Sequence, residues 1–305
     1  MNYETLYNSI QAYAESSEQL FVANIPIFVQ EAETRIYNSV QIPALRRNVT
    51  GTLTAGNQYL SLPNDYLSTY SLAVIDALGR YNYLLNKDVN FIREAFPDAG
   101  QTGLPKYYSL FGSQYGNVNE LSYLMAPTPD SGYTVEMHYF YYPPTIVQGQ
   151  ITTFTALNPG SLYTDGVYFN VPLVGGTGFN ATANITIANQ IVTACTLAFG
   201  GNFYAVGDLL TCSSLGSSGS GFSITVSGVS NTSGTSWLGD NYDPVLFYGA
   251  MREAMLFQKQ EQDLISYYEQ KYNEALAQLN RLGTGLERGD SYRDGQARIT
   301  PRVNP

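Results

Sequence analysis

The sequence predicts an α+β protein: a bundle of N- and C-terminal helices, an antiparallel β sandwich or meander, and an inserted all-β module. Three observations predict this class. Apolar residues recur at helical spacing near both ends of the chain. After Ile42-Pro43 the period changes to two, which is typical of strands. From Gln148 to Gly239 the only charged residues are Asp165 and Asp208, which indicates an uncharged insertion.

Two helices are predicted at the start of the chain. Because proline lacks an N–H and fits only the first helical turn, Pro26 predicts that the second helix begins near Asn24. Glu31, Glu33 and Arg35 lie off its apolar stripe and indicate a solvated or subunit-facing surface. The apolar stripes are Leu6, Ile10, Tyr13 and Ala14 for the first helix, and Ile25, Phe28, Val29, Ala32 and Ile36 for the second.

The period-two region predicts an antiparallel arrangement rather than a βαβ repeat. A short helix is predicted from Asp88, its N-cap, to Phe96, before Pro97. A hairpin is predicted around Ala77-Leu78-Gly79. The predicted strands are Val49 to Thr54, Gln58 to Leu62, Tyr70 to Asp76, Arg80 to Leu85, Lys106 to Phe111, Leu121 to Met125, and Tyr133 to Tyr142.

Candidate catalytic groups are few. The single histidine, His138, is predicted on the polar face of its strand beside Glu136, where a surface or interface role is the commoner one. No Gly-x-Ser-x-Gly elbow or phosphate-binding Gly-Lys-Ser/Thr sequence is present. Two cysteines without paired histidine or acidic ligands do not predict a metal site. We therefore expect no catalytic, metal or cofactor site, and a structural protein rather than an enzyme.

The inserted module is predicted to be all-β, with its entry and exit close together because both ends join one body. Cys195 and Cys212 are expected as buried thiols rather than as a disulfide. Turns are predicted at Gly175-Gly176, Gly200-Gly201 and Ser217-Ser218-Gly219, and Ser213 to Ser220 is expected to be a surface loop. The predicted strands are Ala181 to Ala188, Ile191 to Ala198, Leu209 to Cys212, and Gly221 to Gly228.

Aromatic residues of the module allow two interpretations. They form either a platform on which sugar rings stack or, as strand aromatics more often do, part of the core. The uncharged composition of the module motivates the glycan hypothesis. The candidates for facing a glycan are Tyr163, Tyr168, Phe203 and Tyr204, and further aromatics of the set are Phe169, Phe179 and Phe199.

After the module the chain returns to helix. Asp243-Pro244 predicts a helix start, with an N-cap aspartate followed by proline, and a second helix is expected to end at Gly283. Residues 284–305 contain Gly, Pro and charge with few apolar positions, which predicts an extended arm that orders on a partner, or a frayed tail. From Arg281 onward, five Arg against three acidic residues give +2, leaving −12 on the rest of a chain of net charge −10.

Composition narrows the class of partner. The net charge of −10 argues against a general nucleic-acid binder, because phosphate contacts need clustered Lys and Arg. Only 13% of residues are charged and 26 are Tyr, which favours large buried contact surfaces and hence assembly. No apolar run approaches the length of a membrane span and no signal peptide is evident, so we expect no membrane insertion and folding in a cytosol.

Several segments, taken in order, resemble the head-tail adaptors of short-tailed phages, of the tail tubular protein A type. They are Tyr3 to Ile10, Phe21 to Ile36, Asp243 to Glu253, and Tyr267 to Tyr272. The resemblance covers about residues 1–145 and 238–282. It predicts an adaptor body of residues 1–147 and 237–283, an inserted β module of residues 148–236, and a C-terminal arm of residues 284–305.

The resemblance implies a virion protein that forms a ring of about twelve copies. The ring would join the portal to the tail nozzle, with helices along a channel that double-stranded DNA crosses only in transit. It would assemble in the host bacterial cytoplasm, and tail fibres are a further possible partner. The alternative is a tail component that binds a glycan or receptor through its module. The arm residues expected to contact the portal are Arg288, Tyr292, Arg293, Arg298 and Arg302.

Overall fold

A computed structural model describes residues 1–112, 121–212, 215 and 219–294 of the chain. Over these residues the fold is α+β, with six α-helices and several antiparallel sheets that do not close into a barrel. By its internal contacts the chain divides into two compact units. One unit contains Met1–Val40 and Pro144–Leu282, and the other contains Gln41–Pro143 and the chain from Gly283 onward.

Helices from both ends of the chain pack together in the first unit. A Cβ at Gly249 would lie 3.0 Å from the Ala32 Cβ, so the glycine allows the two helices that carry these residues to approach closely. The helices predicted at both ends of the chain are therefore confirmed. They are α1 (Tyr3–Tyr13), α2 (Gln19–Ser39), α4 (Trp237–Asn241), α5 (Asp243–Phe257) and α6 (Gln262–Asp294), and α3 (Val89–Ala95) belongs to the second unit.

The predicted start of α2 is wrong. The helix begins at Gln19, so Pro26 lies inside it rather than in its first turn. Proline removes one N–H from the helical ladder, a loss that costs roughly 3 kcal/mol in an exposed helix. Here Phe21 and Ile25 on neighbouring turns are completely buried, and their burial offsets that loss.

The predicted end of α6 is also wrong. Gly283 lies within a helix that continues to Asp294, so the extended arm predicted from residue 284 onward is helical over its first eleven residues. Gly283 is buried, and a Cβ there would lie 3.4 Å from the Gln41 carbonyl oxygen. The glycine is therefore an interior residue of the helix, where a Cβ would make ordinary van der Waals contact, and it does not act as a C-terminal cap.

Two four-stranded sheets form the second unit. Their orders are β1-β8-β3-β4 and β2-β7-β6-β5, and all pairs are antiparallel except β5 with β6. Leu72 and Met137 of the first sheet share one buried cluster with Tyr123 and Met125 of the second. The strands are β1 (Arg46–Thr52), β2 (Tyr59–Ser61), β3 (Tyr66–Ile75), β4 (Tyr81–Tyr83), β5 (Leu85–Asn86), β6 (Tyr107–Phe111), β7 (Ser122–Ala126) and β8 (Thr134–Tyr141).

Most predictions for this unit are confirmed. The β3–β4 hairpin turns around Asp76, whose side chain accepts hydrogen bonds from the Leu78 and Arg80 amides. Asp88 is the N-cap of α3 and accepts from the Asn90 amide at 2.8 Å. The prediction of one strand from Arg80 to Leu85 is wrong, because the structure divides this segment into β4 and β5, which belong to different sheets. The other errors are strand boundaries, which depend on pairing partners that periodicity does not reveal.

The inserted module contains two three-stranded sheets, β10-β11-β12 and β13-β14-β9. Ile185 of β11 and Ile224 of β14 belong to the same buried cluster, so the two sheets share a core. The four predicted strands are confirmed, whereas β9 and β10 were not predicted. The strands are β9 (Gln150–Ser161), β10 (Gly166–Pro172), β11 (Phe179–Ala188), β12 (Ile191–Asn202), β13 (Leu209–Leu210) and β14 (Ser220–Ser230).

One predicted turn of the module is wrong. Gly200 and Gly201 lie inside β12. A Cβ at Gly200 would lie 2.7 Å from the Ile151 carbonyl oxygen, so this glycine allows β12 to cross close to β9. The surface loop expected at Ser213 to Ser220 lies mostly outside the described residues.

Candidate functional site

The entry and exit of the module lie side by side. The Gly149 amide donates to the Ser230 carbonyl at 3.0 Å, and the Asn231 side-chain amide donates to the Thr145 carbonyl at 2.8 Å. The expectation that both ends of the module meet at one place is therefore confirmed. We call the segment Thr145 to Gln148 the entry linker.

Helix α1 is joined to the exit of the module. The Tyr3 amide donates to the Gly234 carbonyl at 2.7 Å. The N-terminal ammonium of Met1 donates to the Gly239 carbonyl and lies 3.8 Å from an oxygen of Asp243. The first residues of the chain thus bind the segment through which the chain leaves the module.

Four aromatic rings lie between α1 and the module. The Phe203 ring is 5.2 Å from that of Tyr3 and 5.7 Å from that of Tyr7, measured between centroids. The Phe179 ring is 6.1 Å from Tyr7 and 5.7 Å from Phe203. Tilted and edge-on pairs at these separations add about 0.5–1.5 kcal/mol each beyond the burial of area. They therefore hold the module against the helix.

A buried polar pair lies beside these rings. The Asn202 side-chain amide, which is fully buried at the end of β12, donates to the Tyr3 hydroxyl at 3.2 Å. The Asn202 Oδ1 has no hydrogen-bond partner among the described residues. Burial raises the pKa of the Tyr3 hydroxyl, and the nearby charge of Glu33 contributes to the rise. Tyr3 is consequently neutral at all physiological pH values.

Glu33 of α2 is a buried carboxyl group rather than part of the predicted solvated or subunit-facing surface, and that prediction is wrong for this residue. Its side chain is 3% exposed and accepts a hydrogen bond from the Ile146 amide at 2.8 Å. Burial raises its pKa to about 7, although hydrogen bonds from Thr145 and Ile146 lower it in part. Helical spacing could not reveal this, because the residues that cover Glu33 belong to the entry linker, more than a hundred positions away.

Arg35, by contrast, is partly exposed and bridges to another helix. Its guanidinium lies 2.8 Å from Glu253 of α5, and Arg252 lies 2.8 Å from the same carboxylate. Arg252 is also 3.7 Å from Glu269 of α6. Glu253 therefore joins α5 to α2 through Arg35, and Arg252 of the same helix joins α5 to α6 through Glu269.

His138 lies on the half-exposed face of β8, as predicted, and its Nε2 is 2.9 Å from the Glu136 carboxylate. Asn48 of β1 donates to the same oxygen at 2.9 Å. Hydrogen bonds from His138, Tyr81 and Asn48 hold the pKa of Glu136 below its usual range. Over the described part of the chain, no three His, Cys, Asp or Glu residues are grouped to hold a metal ion.

The four candidate glycan-facing aromatics do not share one surface. Tyr163 and Tyr204 are buried in the module core, which corrects the interpretation of these two rings as glycan-facing. Tyr168 packs against that core, and Phe203 packs on α1. Both thiols, those of Cys195 and Cys212, are of intermediate burial, and burial raises the pKa of Cys195 to about 11.

The predicted arm residues divide into two groups. Arg288, Tyr292 and Arg293 lie on the last turns of α6. Arg298 and Arg302 lie outside the described residues.

The described residues combine an α+β fold with aromatic packing, ion pairs between helices and a docked module. The model of a family described as SU10 adaptor protein matches residues 1–168, from α1 into β10. This match spans more than half of the chain, which therefore belongs to the SU10 adaptor protein family. It is a structural phage head-tail adaptor, a component of the virion that associates with portal and tail components.

No curated protein matches the chain. Among the described residues, no helix is both long and apolar enough to span a membrane.

Proposed function

We propose that the chain is the subunit of a ring of about twelve copies that joins the portal of a short-tailed phage to its tail nozzle. In this role it is an adaptor of the tail tubular protein A type. The observation that carries the proposal is the family match, which spans both N-terminal helices, the Gln41–Pro143 part of the second unit and the start of the module. The domain boundaries expected from the sequence remain part of the proposal.

The surface chemistry supports assembly into a ring. Large apolar and aromatic side chains are strongly exposed, including Tyr13 at 65%, Leu78 at 75% and Tyr83 at 69%. Tyrosine at protein surfaces is typical of interfaces, where its ring packs and its hydroxyl stays at the polar rim. Neighbouring copies of the chain, the portal and the tail nozzle would cover these residues, and tail fibres are a further candidate partner.

The charge of the chain suits a channel through which DNA passes. The net charge is −10, and an acidic wall repels phosphates, whereas a basic wall would bind them and slow the duplex. The ring would therefore allow DNA to slide during ejection. In this proposal the subunits fold in the host cytoplasm and assemble there on the portal.

The C-terminal arginines are the proposed contact to the portal. Arg288, Arg293, Arg298 and Arg302 occur at intervals of four or five residues. Arginine pairs bidentately with carboxylates, so these side chains suit an acidic groove on the portal. Tyr292 would supply a flat apolar contact between them.

The experiment is to image the purified protein by negative stain, alone and with its portal, and to measure the mass of each particle. A ring of about twelve copies on the portal is the expected result. A monomer or trimer that is indifferent to the portal and binds host cells would overturn the proposal and favour the receptor-binding alternative.

A variant tests whether the arm, rather than the body, contacts the portal. Replacing Arg288, Arg293, Arg298 and Arg302 by Ser should leave a folded protein that no longer binds the portal. The matched control replaces two exposed cations of the second unit, Lys87 and Lys106, by Ser. If the arginine variant binds the portal as well as this control does, the arm is not the contact.

A further inference from the structure

Glu33 has an unusual position for a carboxyl group. It lies in the middle of α2 and is 3% exposed, and among the described residues the Ile146 amide and the Thr145 side chain donate hydrogen bonds to it. No cation among the described residues forms an ion pair with it. A buried carboxylate without a cation is costly when ionised, because the protein replaces water poorly around the charge.

The groups around Glu33 are neutral at physiological pH. From α1, Tyr3 lies near enough for the charge of Glu33 to help raise the pKa of its hydroxyl, and from the entry linker Thr145 and Ile146 donate hydrogen bonds to Glu33. Arg35 of the same helix is two residues further on, about 200° around the helix axis, and bonds to Glu253 of α5. The charge of Glu33 is therefore not compensated from any of these elements.

Glu33 holds the entry linker, which is the segment through which the chain enters the module. The boundary between the two compact units falls at Pro143 and Pro144, directly before Thr145. Ile146 also packs on α4, directly after the exit of the module, since a Cβ at Gly239 would lie 2.7 Å from the Ile146 Cδ1. Movement of the linker away from α2 would thus disturb both the entry and the exit of the module.

We propose that Glu33 is a proton-controlled latch for the module. With a neutral carboxyl group it holds the entry linker on α2, and loss of the proton releases the linker and loosens the base of the module. The released state is favoured at higher pH because there the carboxylate reaches water. This inference stands independently of the proposed ring.

The direction of the pH dependence follows from the linkage between protonation of Glu33 and opening of the linker. Burial raises the pKa of Glu33 from 4.5 to about 7 in the closed state. The closed state is therefore most stable below the ordinary pKa and loses stability as the pH rises through about 7. With these two pKa values, the population of the open state rises roughly tenfold between about pH 6 and about pH 8.5.

The test is native-state hydrogen exchange of the Ile146 amide in the full chain, corrected for the intrinsic pH dependence of exchange. We expect its protection to fall about tenfold over that pH interval. The Leu173 amide, which donates to Ala181 inside the module at 2.9 Å, serves as the internal control and should keep its protection. Equal loss at both amides would show global unfolding and overturn the latch.

Glu33→Gln provides the decisive variant. Its side-chain carbonyl still accepts from the Ile146 amide but carries no charge, so protection of Ile146 should persist and no longer depend on pH. If protection of the Ile146 amide in this variant depended on pH as it does in the wild-type protein, the proposal would be overturned. Thr145→Val tests the latch without altering Glu33. Loss of its hydrogen bond should move the transition of the Ile146 amide to higher pH, and an unchanged or lower midpoint would contradict the latch.

The single tryptophan gives a second readout. Trp237 begins α4, next to the segment that contacts Ile146. Its fluorescence should show a transition near pH 7 in the wild-type protein that is absent in Glu33→Gln. A flat wild-type titration, together with unchanged protection of Ile146, would refute the latch even if the variant failed to fold.

Discussion

Asn202 and Tyr3 form a buried hydrogen bond of 3.2 Å across 199 positions of sequence. Tyr3 is the first residue of α1, and Asn202 is the last residue of β12 in the inserted module. The pair shows that the module is docked on the start of the chain through a polar contact as well as through aromatic packing. A buried amide whose partner is removed loses its hydrogen bond without regaining water.

The first prediction concerns this pair. Tyr3→Phe keeps the ring but removes the hydroxyl, so the Asn202 amide is left without its acceptor. We expect the free energy of unfolding to fall by about 1–3 kcal/mol. Urea denaturation at neutral pH measures it, with Tyr83→Phe, which alters a strongly exposed ring, as the control. Equal stability of the two variants would mean that the buried bond contributes nothing.

The second prediction concerns the Glu253 carboxylate, which joins α2 to α5. Glu253→Gln leaves Arg35 and Arg252 facing an uncharged amide. Its NH2 group is a hydrogen-bond donor, as are both guanidinium groups, so only its carbonyl oxygen can accept from them. Since Glu253 is largely buried and its partners are partly exposed, we expect a loss of about 1–3 kcal/mol, below that of a fully buried pair. Thermal unfolding in low salt measures it.

Glu274→Gln is the matched control for this change. Glu274 pairs with Lys271 at 3.0 Å on the exposed face of α6, where solvent screens the interaction. Its replacement should leave the melting temperature nearly unchanged. Similar losses from Glu253→Gln and Glu274→Gln would contradict the role assigned to Glu253.

The third prediction concerns Asp208, which joins two loops of the module. Its Oδ2 accepts from the Ala205 amide at 2.9 Å and from the Thr177 amide and hydroxyl at 3.0 and 2.8 Å. Burial alone would raise the pKa of Asp208, but these hydrogen bonds outweigh it and lower the pKa. The stabilisation is therefore present above the ordinary aspartate pKa and is lost as the pH falls through the lowered value.

Asp208→Asn should reduce the stability of the module by about 1–2 kcal/mol at neutral pH. The stability of the variant should also depend less on pH in the acidic range than that of the wild-type protein. Hydrogen exchange of module amides at several pH values measures both effects. Asp165→Asn is the control in the same module, because Asp165 accepts a hydrogen bond from the Gln190 amide at 2.7 Å rather than joining two loops. The role of Asp208 is refuted if the control causes the larger loss.

The fourth prediction concerns the crossing of β12 and β9. Gly200→Ala places a methyl group 2.7 Å from the Ile151 carbonyl oxygen, so the strands must separate. We expect a loss of about 1–3 kcal/mol, typical of overpacking. Gly51→Ala in β1 is the matched control, since a Cβ there meets no atom within 4 Å. Comparable melting temperatures for both variants would contradict the close approach.

Local patterns predicted the existence and type of most elements. Asp88 caps α3 as predicted, because capping depends on neighbouring backbone groups alone. The predicted Asp243 cap is wrong by one residue: α5 begins at Asp243 itself, Tyr242 is the N-cap without a side-chain hydrogen bond, and Pro244 lies in the first turn. Periodicity placed His138 beside Glu136 and identified four strands of the module. It missed β9 and β10, whose partners β14 and β11 lie far along the chain or beyond a bulge.

The errors share one physical cause. Pro26 and Gly283 were interpreted as helix boundaries, as local propensity indicates, yet both lie inside helices. Gly200 was interpreted as a turn, yet it lies in a strand that crosses another backbone. In each case, burial or close approach by a distant segment outweighed a local preference of about 1–3 kcal/mol.

The sequence by itself determined the α+β class, the helices at both ends of the chain, the uncharged insertion and the resemblance to phage adaptors. Periodicity, capping and composition are local, so they can be recognised without knowing which segments meet. Only the tertiary structure decided that Glu33 is buried under the entry linker, that Asn202 meets Tyr3, and that Tyr163 and Tyr204 are core residues. Burial depends on contacts between segments far apart in the chain, and no local pattern records which segments those are.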